Sequence, residues 1–334
     1  MEKKGVLNAI DHFSKLKILV IGDVILDAYY RGKVSRISPE APVPVIDIES
    51  KEFRLGGAAN VALNVKHLGA ECIVCSVVGQ DQPAQFLKEM LTENSIDTSG
   101  LIESPQRHTS IKTRLVSGFS QLLRMDEETT TPIDKKEEAD LLNRIKSLIN
   151  DYKPEAIIFE DYDKGVITKS LIDEVVLTAK SQSIPIAVDP KKDHFLDYSG
   201  VQLFKPNFKE LKEGLNLHHL TTSKSDLEKA FIALNGIMPI EKAFFTLSGD
   251  GVFITDGSLS SAFPAIKRNI ADVSGAGDTV IATAACALAS GLDMASLAFI
   301  SNIAGGWVCQ FPGVVPINAS DLKSETEKHF SNGR

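Results

Sequence analysis

A chain of 334 residues, 43% apolar and 24% charged, suits one large or two ordinary domains with a sizeable core and no need of disulfide staples. Its net charge of −8 argues against nucleic acid as the main partner, because a phosphate backbone needs a basic face, but leaves open a small anionic substrate. The opening Met1-Glu-Lys-Lys-Gly5 leads into no long apolar run, so neither a signal peptide nor a membrane span is expected, and the cytoplasm is the expected location.

Residues 17–22 read as a buried strand ending in Gly22, 60–68 as a helix, 72–78 as a strand and 84–94 as a helix. Helix 137–149, strand 156–159, helix 169–182 and strand 186–189 follow. Helices 208–214 and 224–235, strand 243–247 and a Pro-free helix over 277–291 complete the series. Strands of near-continuous Val, Ile and Phe alternating with helices predict a mainly parallel sheet covered on both faces, with ligands at the carboxyl ends of its strands. Two segments break the alternation. Residues 31–54 carry Val43, Val45, Ile46 and Ile48 in a strand-like pattern; residues 108–125 carry Ile111, Leu115 and Val116, a turn at Gly118, then Leu122 and Leu123. Both read as antiparallel strands of a small sheet over the active-site edge. A sheet this small is marginal alone. We therefore expect a lid (31–54 and 107–126), packed on the core (1–30, 55–106 and 127–334) and forming the contact of a homodimer.

The run Asp272-Val-Ser-Gly-Ala-Gly-Asp278 is the most informative stretch. Glycines leading into a helix N-terminus present several backbone N–H groups together, and with the helix dipole these make an anion site. Asp278, in the first turn, is badly chosen to hold a phosphate and well placed to take a proton from an attacking hydroxyl. An ordinary strand-to-helix turn capped by Asp278 is the bland alternative. Cys72 and Cys75 form a C-x-x-C, but in an apolar strand run their odd separation puts them on opposite faces, as structural thiols. His218-His219 shows no metal-ligand spacing, and no Walker-type phosphate loop is present.

Gly56-Gly-Ala-Ala-Asn60, followed by Ala62, Gly69 and Gly79, resembles the first signature of the ribokinase (PfkB) family of sugar kinases. The run 272–278 resembles the second, with Val273 where Thr is usual. The resemblance covers roughly residues 15–325 and implies a ribokinase-like three-layer α/β/α fold with a small β-sheet lid. Within that family, Arg36-Ile-Ser-Pro-Glu-Ala-Pro-Val-Pro-Val45 resembles the hallmark of heptose-7-phosphate kinases. The pairs Gly22-Asp23, Asp161-Tyr162, Lys164-Gly165 and Asp189-Pro190-Lys191 agree, as do Lys205-Pro-Asn207 with Glu210 and Thr246-Leu-Ser248 with Gly251. Phe159-Glu160 departs from it, since smaller residues are expected there. No second nucleotide-binding pattern is read after the kinase-like run, so a likeness to a stand-alone kinase, without a nucleotidyltransferase domain, is expected.

The resemblance implies phosphoryl transfer from ATP to a sugar hydroxyl, with Asp278 as base and the amides of Ser274, Gly275, Ala276 and Gly277 stabilising the transferred group. Asp272 either shapes the turn or helps a monovalent cation. Asp27 is expected after a strand, accepting from two sugar hydroxyls. Gly56 and Gly57 let backbone approach the sugar, and Asn60 either binds sugar or caps its helix. Arg36, Lys112, Arg114 and Arg124 from the lid, with Asp189, Lys191 and Lys192 at a strand end, form the candidate sugar-phosphate group. Asn207 and Glu210, at i, i+3 on a helix start, either position Mg²⁺ through water or cap that helix. Ser248 and Gly251 border the nucleotide, as do Ser274, Gly275 and Gly277, with Asn302 and Gly305 near its base. The expected partners are a sugar phosphate, ATP with Mg²⁺ and a second copy of the chain. Phosphorylation of another sugar, such as ribose or fructose 1-phosphate, is the alternative activity. Sugar binding by a decayed kinase is the alternative class.

Overall fold

The structure is a computed structural model that describes residues 2–118 and 120–332. Phe119, inside the expected lid, lies outside the described residues. In chain order the elements are α1 (Lys3–His12), β1 (Lys17–Gly22), β2 (Val24–Ile37), β3 (Pro44–Gly57), α2 (Ala58–His67), β4 (Glu71–Gly79), α3 (Gln82–Glu93) and β5 (Asp97–Ser104). They continue with β6 (Ser110–Ser117), β7 (Ser120–Glu127), α4 (Lys135–Tyr152), β8 (Ala156–Glu160), α5 (Lys169–Ser181), β9 (Ile186–Asp189), β10 (Leu203–Phe204) and α6 (Phe208–Gly214). The last are α7 (Lys224–Ile237), β11 (Ala243–Thr246), β12 (Val252–Thr255), β13 (Ser260–Phe263), α8 (Ala276–Ala289), α9 (Met294–Val308) and α10 (Ala319–Asn332).

One nine-stranded sheet runs β13-β12-β11-β10-β9-β8-β1-β4-β5. It is parallel from β5 to β11 and antiparallel at β12 and β13. Alternation on its strands explains the three layers. Ile18 and Val20 of β1 enter a core shared with α1, α2, α8, α9 and α10; Leu19 and Ile21 enter one shared with α4, α5 and α7. Each such side chain stabilises by roughly 1.5–3 kcal/mol on burial. Cys72 and Cys75 are buried and free, one in each core, as the strand parity requires. Side-chain caps set several helix starts: Asp81 on α3, Thr168 on α5, Ser223 on α7, and an Asp134–Glu137 capping box on α4. Among the described residues no helix is long and apolar enough to cross a membrane.

A second sheet has the order β3-β2-β6-β7. Two hairpins, β2–β3 and β6–β7, meet through a parallel β2–β6 pairing, where the sequence suggested only antiparallel strands. The Gly118 turn has φ +60°, as a tight reversal needs. Strand β2 begins at Val24, two residues after β1 ends, so the lid sheet grows directly from the core. Leu26, Ala28 and Ile111 on one face of this sheet pack with Phe53, Phe86 and Met90. Its other face is polar.

Helix α1, strands β5, β10, β12 and β13, and helix α10 were not legible in the sequence. Strand β10 has two residues and no pattern of its own; α10 is a polar, charged stretch.

Candidate active site

The site lies where the theory of parallel sheets puts it, at the carboxyl ends of β1, β8 and β9. Glu160 ends β8, Asp189 ends β9 opposite it, and Lys205 follows β10. The N-terminus of α8 points at this floor, and Gly275, at φ +75°, is the residue that lets the chain turn into that helix. Ser274 donates its N–H to Asp272, and Ala276 donates to Val273 O at 3.3 Å. The N–H groups of Gly275 and Gly277 have no acceptor among the described residues. Of the four amides singled out from the sequence, these two are therefore open to an anion. A Cβ on Gly277 would sit 3.9 Å from both Asp189 Oδ2 and Lys205 Nζ, which places the helix start directly above that ion pair.

Asp278 is buried in the first turn of α8. Asn60 Nδ2 donates to its Oδ2 at 2.5 Å and Tyr162 Oη to its Oδ1 at 3.3 Å. Burial pushes its pKa up; the Asn60 hydrogen bond opposes this, and the Asp189 charge adds to it. A carboxylate held above its ordinary value suits a general base. Asp272 spends Oδ1 on Ser274 and Oδ2 on the Gly313 N–H. Its burial would raise its pKa, but those donors outweigh burial and hold it down. It shapes the loop.

Tyr162 had no role in the sequence reading. Asp23 accepts from the N–H groups of Tyr162, Lys164 and Val166, and so clasps the loop that presents this ring to Asp278. Lys191 Nζ lies 4.8 Å from the ring centroid and Lys112 Nζ 6.0 Å. Lys205 pairs with Asp189 Oδ2 at 2.8 Å, and Lys191 pairs with Glu210 at 3.0 Å and Asp189 at 3.9 Å. Burial alone would lower the Lys191 pKa; Asp189 and Glu210 outweigh it and keep the ammonium charged. Lys192 is exposed. Glu160 is fully buried, and burial followed by the Asp189 and Asp278 charges pushes its pKa well up.

Asp27 follows β1, as expected, and lies within β2. It faces Arg54 on β3 and Lys112 on β6 in register, and Arg114 Nη1 donates to its Oδ1 at 2.5 Å. A Cβ on Gly56 would lie 2.5 Å from Asp27 Oδ2, and one on Gly57, at φ +56°, would meet Asp23 O at 2.3 Å. Both glycines thus allow close packing of strand on strand. Register puts Glu52, Tyr29, Arg114 and Arg124 in one cross-strand row of the polar lid face, beside the row Arg54, Asp27, Lys112 and Asp126. Arg31, Arg54 and Arg114 all lie within 6 Å of the Tyr29 ring, at 5.8, 4.8 and 5.1 Å. Arg31 and Arg54 were missed from the sequence, because only the sheet register brings them to this face. Burial, then the nearby Lys164 charge, hold Lys112 below its ordinary pKa. Arg124 is exposed and pairs with Asp126; Arg36 is exposed near the far end of β2, 3.5 Å from Asp47.

Asn207 and Glu210 form a reciprocal capping box on α6: Asn207 Oδ1 accepts from Glu210 N, and Glu210 Oε2 accepts from Asn207 N. Asn207 bridges to Thr246, whose strand runs into the Ser248–Gly251 turn. There Gly251 is at φ +93°, and a Cβ would strike Phe263 O. Asn302 donates to Pro264 O at 2.9 Å and holds the loop before α8, while Gly305 packs closely on Val280 between α8 and α9.

Residues 15–320 match the pfkB family carbohydrate kinase model. The bifunctional protein HldE of Methylobacillus flagellatus is 37% identical over 314 residues, covering 94% of this chain and 64% of that protein. The Granulibacter bethesdensis protein of the same name is 38% identical over 333 residues, covering 96% and 67%. The chain thus spans about two thirds of the length of these relatives. Among solved structures, Escherichia coli phosphofructokinase-2 in complex with potassium superposes with a TM-score of 0.77 at 17% identity, covering 94% of this chain and 99% of that one. Arabidopsis thaliana ribokinase complexed with ribose and ATP superposes with a TM-score of 0.74 at 15% identity, covering 93% and 99%. These two show the ribokinase-like fold. The chain belongs to the pfkB family of carbohydrate kinases, phosphotransferases that act on an alcohol group.

Proposed function

We propose that the chain transfers the γ-phosphoryl group of ATP to the 1-hydroxyl of D-glycero-D-manno-heptose 7-phosphate in the cytoplasm, giving the 1,7-bisphosphate. The observation that carries this reading is the basic polar face of the lid, where Arg31, Arg54, Lys112 and Arg114 gather beside Asp27. A plain sugar has no need of so many guanidinium groups, whereas a distal phosphate accepts their paired N–H donors. The lid run 36–45, which resembles that of heptose-7-phosphate kinases, supports the same substrate.

In this reading Asp27 accepts from sugar hydroxyls, and Asp278 takes the proton of the acceptor hydroxyl. Asn60 and Tyr162 fix the Asp278 carboxylate. The open N–H groups of Gly275 and Gly277 and the Lys191 and Lys205 ammonium groups receive the charge that spreads over the phosphoryl oxygens. The ATP phosphates run from α8 toward Asn207 and the Ser248–Gly251 turn. Glu210 fits Mg²⁺ held through water, because its carboxylate keeps lone pairs beyond those given to Asn207 and Lys191. Bound with ATP, Mg²⁺ would neutralise charge on the phosphates. Asp272 would serve a monovalent cation by shaping its loop; the potassium of the phosphofructokinase-2 structure supports such a site. Exposed Val34, Ile37, Val43, Leu122 and Leu123 on the lid support a homodimer formed through it.

A panel of sugars and sugar phosphates with ATP, scored by ADP release and product mass, tests this reading. Heptose 7-phosphate should give the highest kcat/KM. A higher value for ribose, fructose 1-phosphate or unphosphorylated heptose would replace the substrate and leave the family untouched.

A further inference from the structure

Glu160 is one of the residues at which the chain departs from the family resemblance, and among the described residues it is the least satisfied buried side chain. It is 0% exposed, and neither carboxylate oxygen has a hydrogen-bond partner among the described residues. An ionised carboxylate left this way is strongly unfavourable. The register of β8 on β9 sets it beside Asp189, and α8 brings Asp278 to the same point. One oxygen from each of Glu160, Asp189 and Asp278 lies within 4.8 Å of the others. Oxygens around a hard cation, at about 2.0–2.6 Å from it, are at most roughly 4–5 Å apart.

We propose that Glu160, Asp189 and Asp278 form a buried site for one hard divalent cation under the α8 N-terminus, separate from the Mg²⁺ that accompanies ATP at Glu210. Each ligand has electron pairs to give. Lys205 occupies Asp189 Oδ2, while Oδ1 has only Lys191 at 3.9 Å. Asn60 and Tyr162 each take one direction at Asp278 and leave the rest of its lone pairs. Charge agrees. Four carboxylates (Glu160, Asp189, Glu210 and Asp278) face two ammonium groups (Lys191 and Lys205), a surplus of two negative charges. A proton on Glu160 would cancel one of these; a divalent ion cancels both. The all-oxygen donor set selects Mg²⁺, Mn²⁺ or Ca²⁺ over softer metals. An ion here would supply positive charge next to the acceptor hydroxyl, with Asp278 holding it through one oxygen and keeping the other for the proton. That consequence rests on the kinase reading; the binding itself does not.

The test is a titration of nucleotide-free, sugar-free protein with Mn²⁺, following free Mn²⁺ by electron paramagnetic resonance. The wild type should bind one Mn²⁺, displaced by Mg²⁺. Glu160→Gln should weaken this binding at least tenfold, while the Mn²⁺ taken up together with a non-hydrolysable ATP analogue persists. Asp189→Asn replaces Glu160→Gln if circular dichroism shows that the latter does not fold. Absence of Mn²⁺ binding to the wild type without nucleotide overturns the site, as does unchanged binding in the folded variant. A protein that binds Mn²⁺ here and phosphorylates no heptose 7-phosphate keeps the site and loses the substrate.

Discussion

Asn60 Nδ2 donates to Asp278 Oδ2 at 2.5 Å, joining the start of α2 to the start of α8 across 218 positions of sequence. The contact is backed one turn further on, where Thr279 Oγ1 donates to Asn64 Oδ1 at 2.7 Å. The two glycine-rich signatures thus close on each other at a single carboxylate. Asp278→Asn should abolish turnover while leaving sugar and ATP binding largely intact, because the change removes a charge and little shape. A general base contributes roughly 100- to 10,000-fold. Single-turnover rates and ligand titrations on the same preparation check this; a rate within tenfold of wild type would remove Asp278 as the base.

If Asn60 aims the base rather than holding the sugar, Asn60→Ala should lower kcat by roughly ten- to a hundredfold, with little change in either KM. The pH profile separates this from a sugar-binding role. The Asn60 N–H opposes the upward push of burial on Asp278, so its loss raises the Asp278 pKa further. The base acts when ionised. The acid limb of kcat/KM should therefore move to higher pH. A raised sugar KM with an unmoved limb would return Asn60 to the sugar.

Much of this site was legible in the sequence, and the failures have physical causes. The glycine runs and Asp278 stand out because backbone anion sites need glycine and a helix start in sequence neighbours. The capping box of Asn207 and Glu210 was visible as i, i+3 spacing, although spacing alone did not tell a cap from a metal position. Tyr162, Lys205, Arg31 and Arg54 carry no local signature. Their positions follow from strand register and from the Asp23 clasp on the 162–166 loop, both long-range facts. Asp27 was read only as following a strand, because β2 starts so soon after β1 that the break at Asp23 was not read as one sheet leaving another.

The lid basic residues should separate by depth. Arg114 is partly buried against Asp27 and Tyr29, whereas Arg124, its register partner, is exposed and satisfied by Asp126. Arg114→Gln should raise the sugar-phosphate KM roughly ten- to a hundredfold, the worth of one charge-assisted hydrogen bond of about 1.5–3 kcal/mol. Arg124→Gln should raise it less, and neither should shift the ATP KM. Initial-rate kinetics with each substrate varied in turn measure this. Equal effects on both KM values would mean that the lid reads ATP as much as sugar.

Two glycines of the same signature run should respond in opposite ways to alanine. Gly275 is at φ +75°, and a Cβ there would lie 3.0 Å from Val314 and 3.1 Å from Asn60 Nδ2. Gly275→Ala should cost about 1–2 kcal/mol of stability from the left-handed backbone alone, and it also pushes on the residue that aims the base. Gly277 is different. It lies in the first turn of α8 at an ordinary backbone conformation, and the nearest atoms to an added Cβ, Asp189 Oδ2 and Lys205 Nζ, are 3.9 Å away. Alanine is the better helix former by about 0.5–1 kcal/mol, so Gly277→Ala should hold or raise Tm. The methyl would nevertheless stand on the floor between the open N–H groups and the Asp189–Lys205 pair, where the proposed reading puts the transferred phosphoryl group. Its kcat should fall by at least tenfold. Thermal melts and kinetics on the two variants together decide the point: a Gly277→Ala protein with wild-type turnover would show that the phosphoryl group does not pass over this floor.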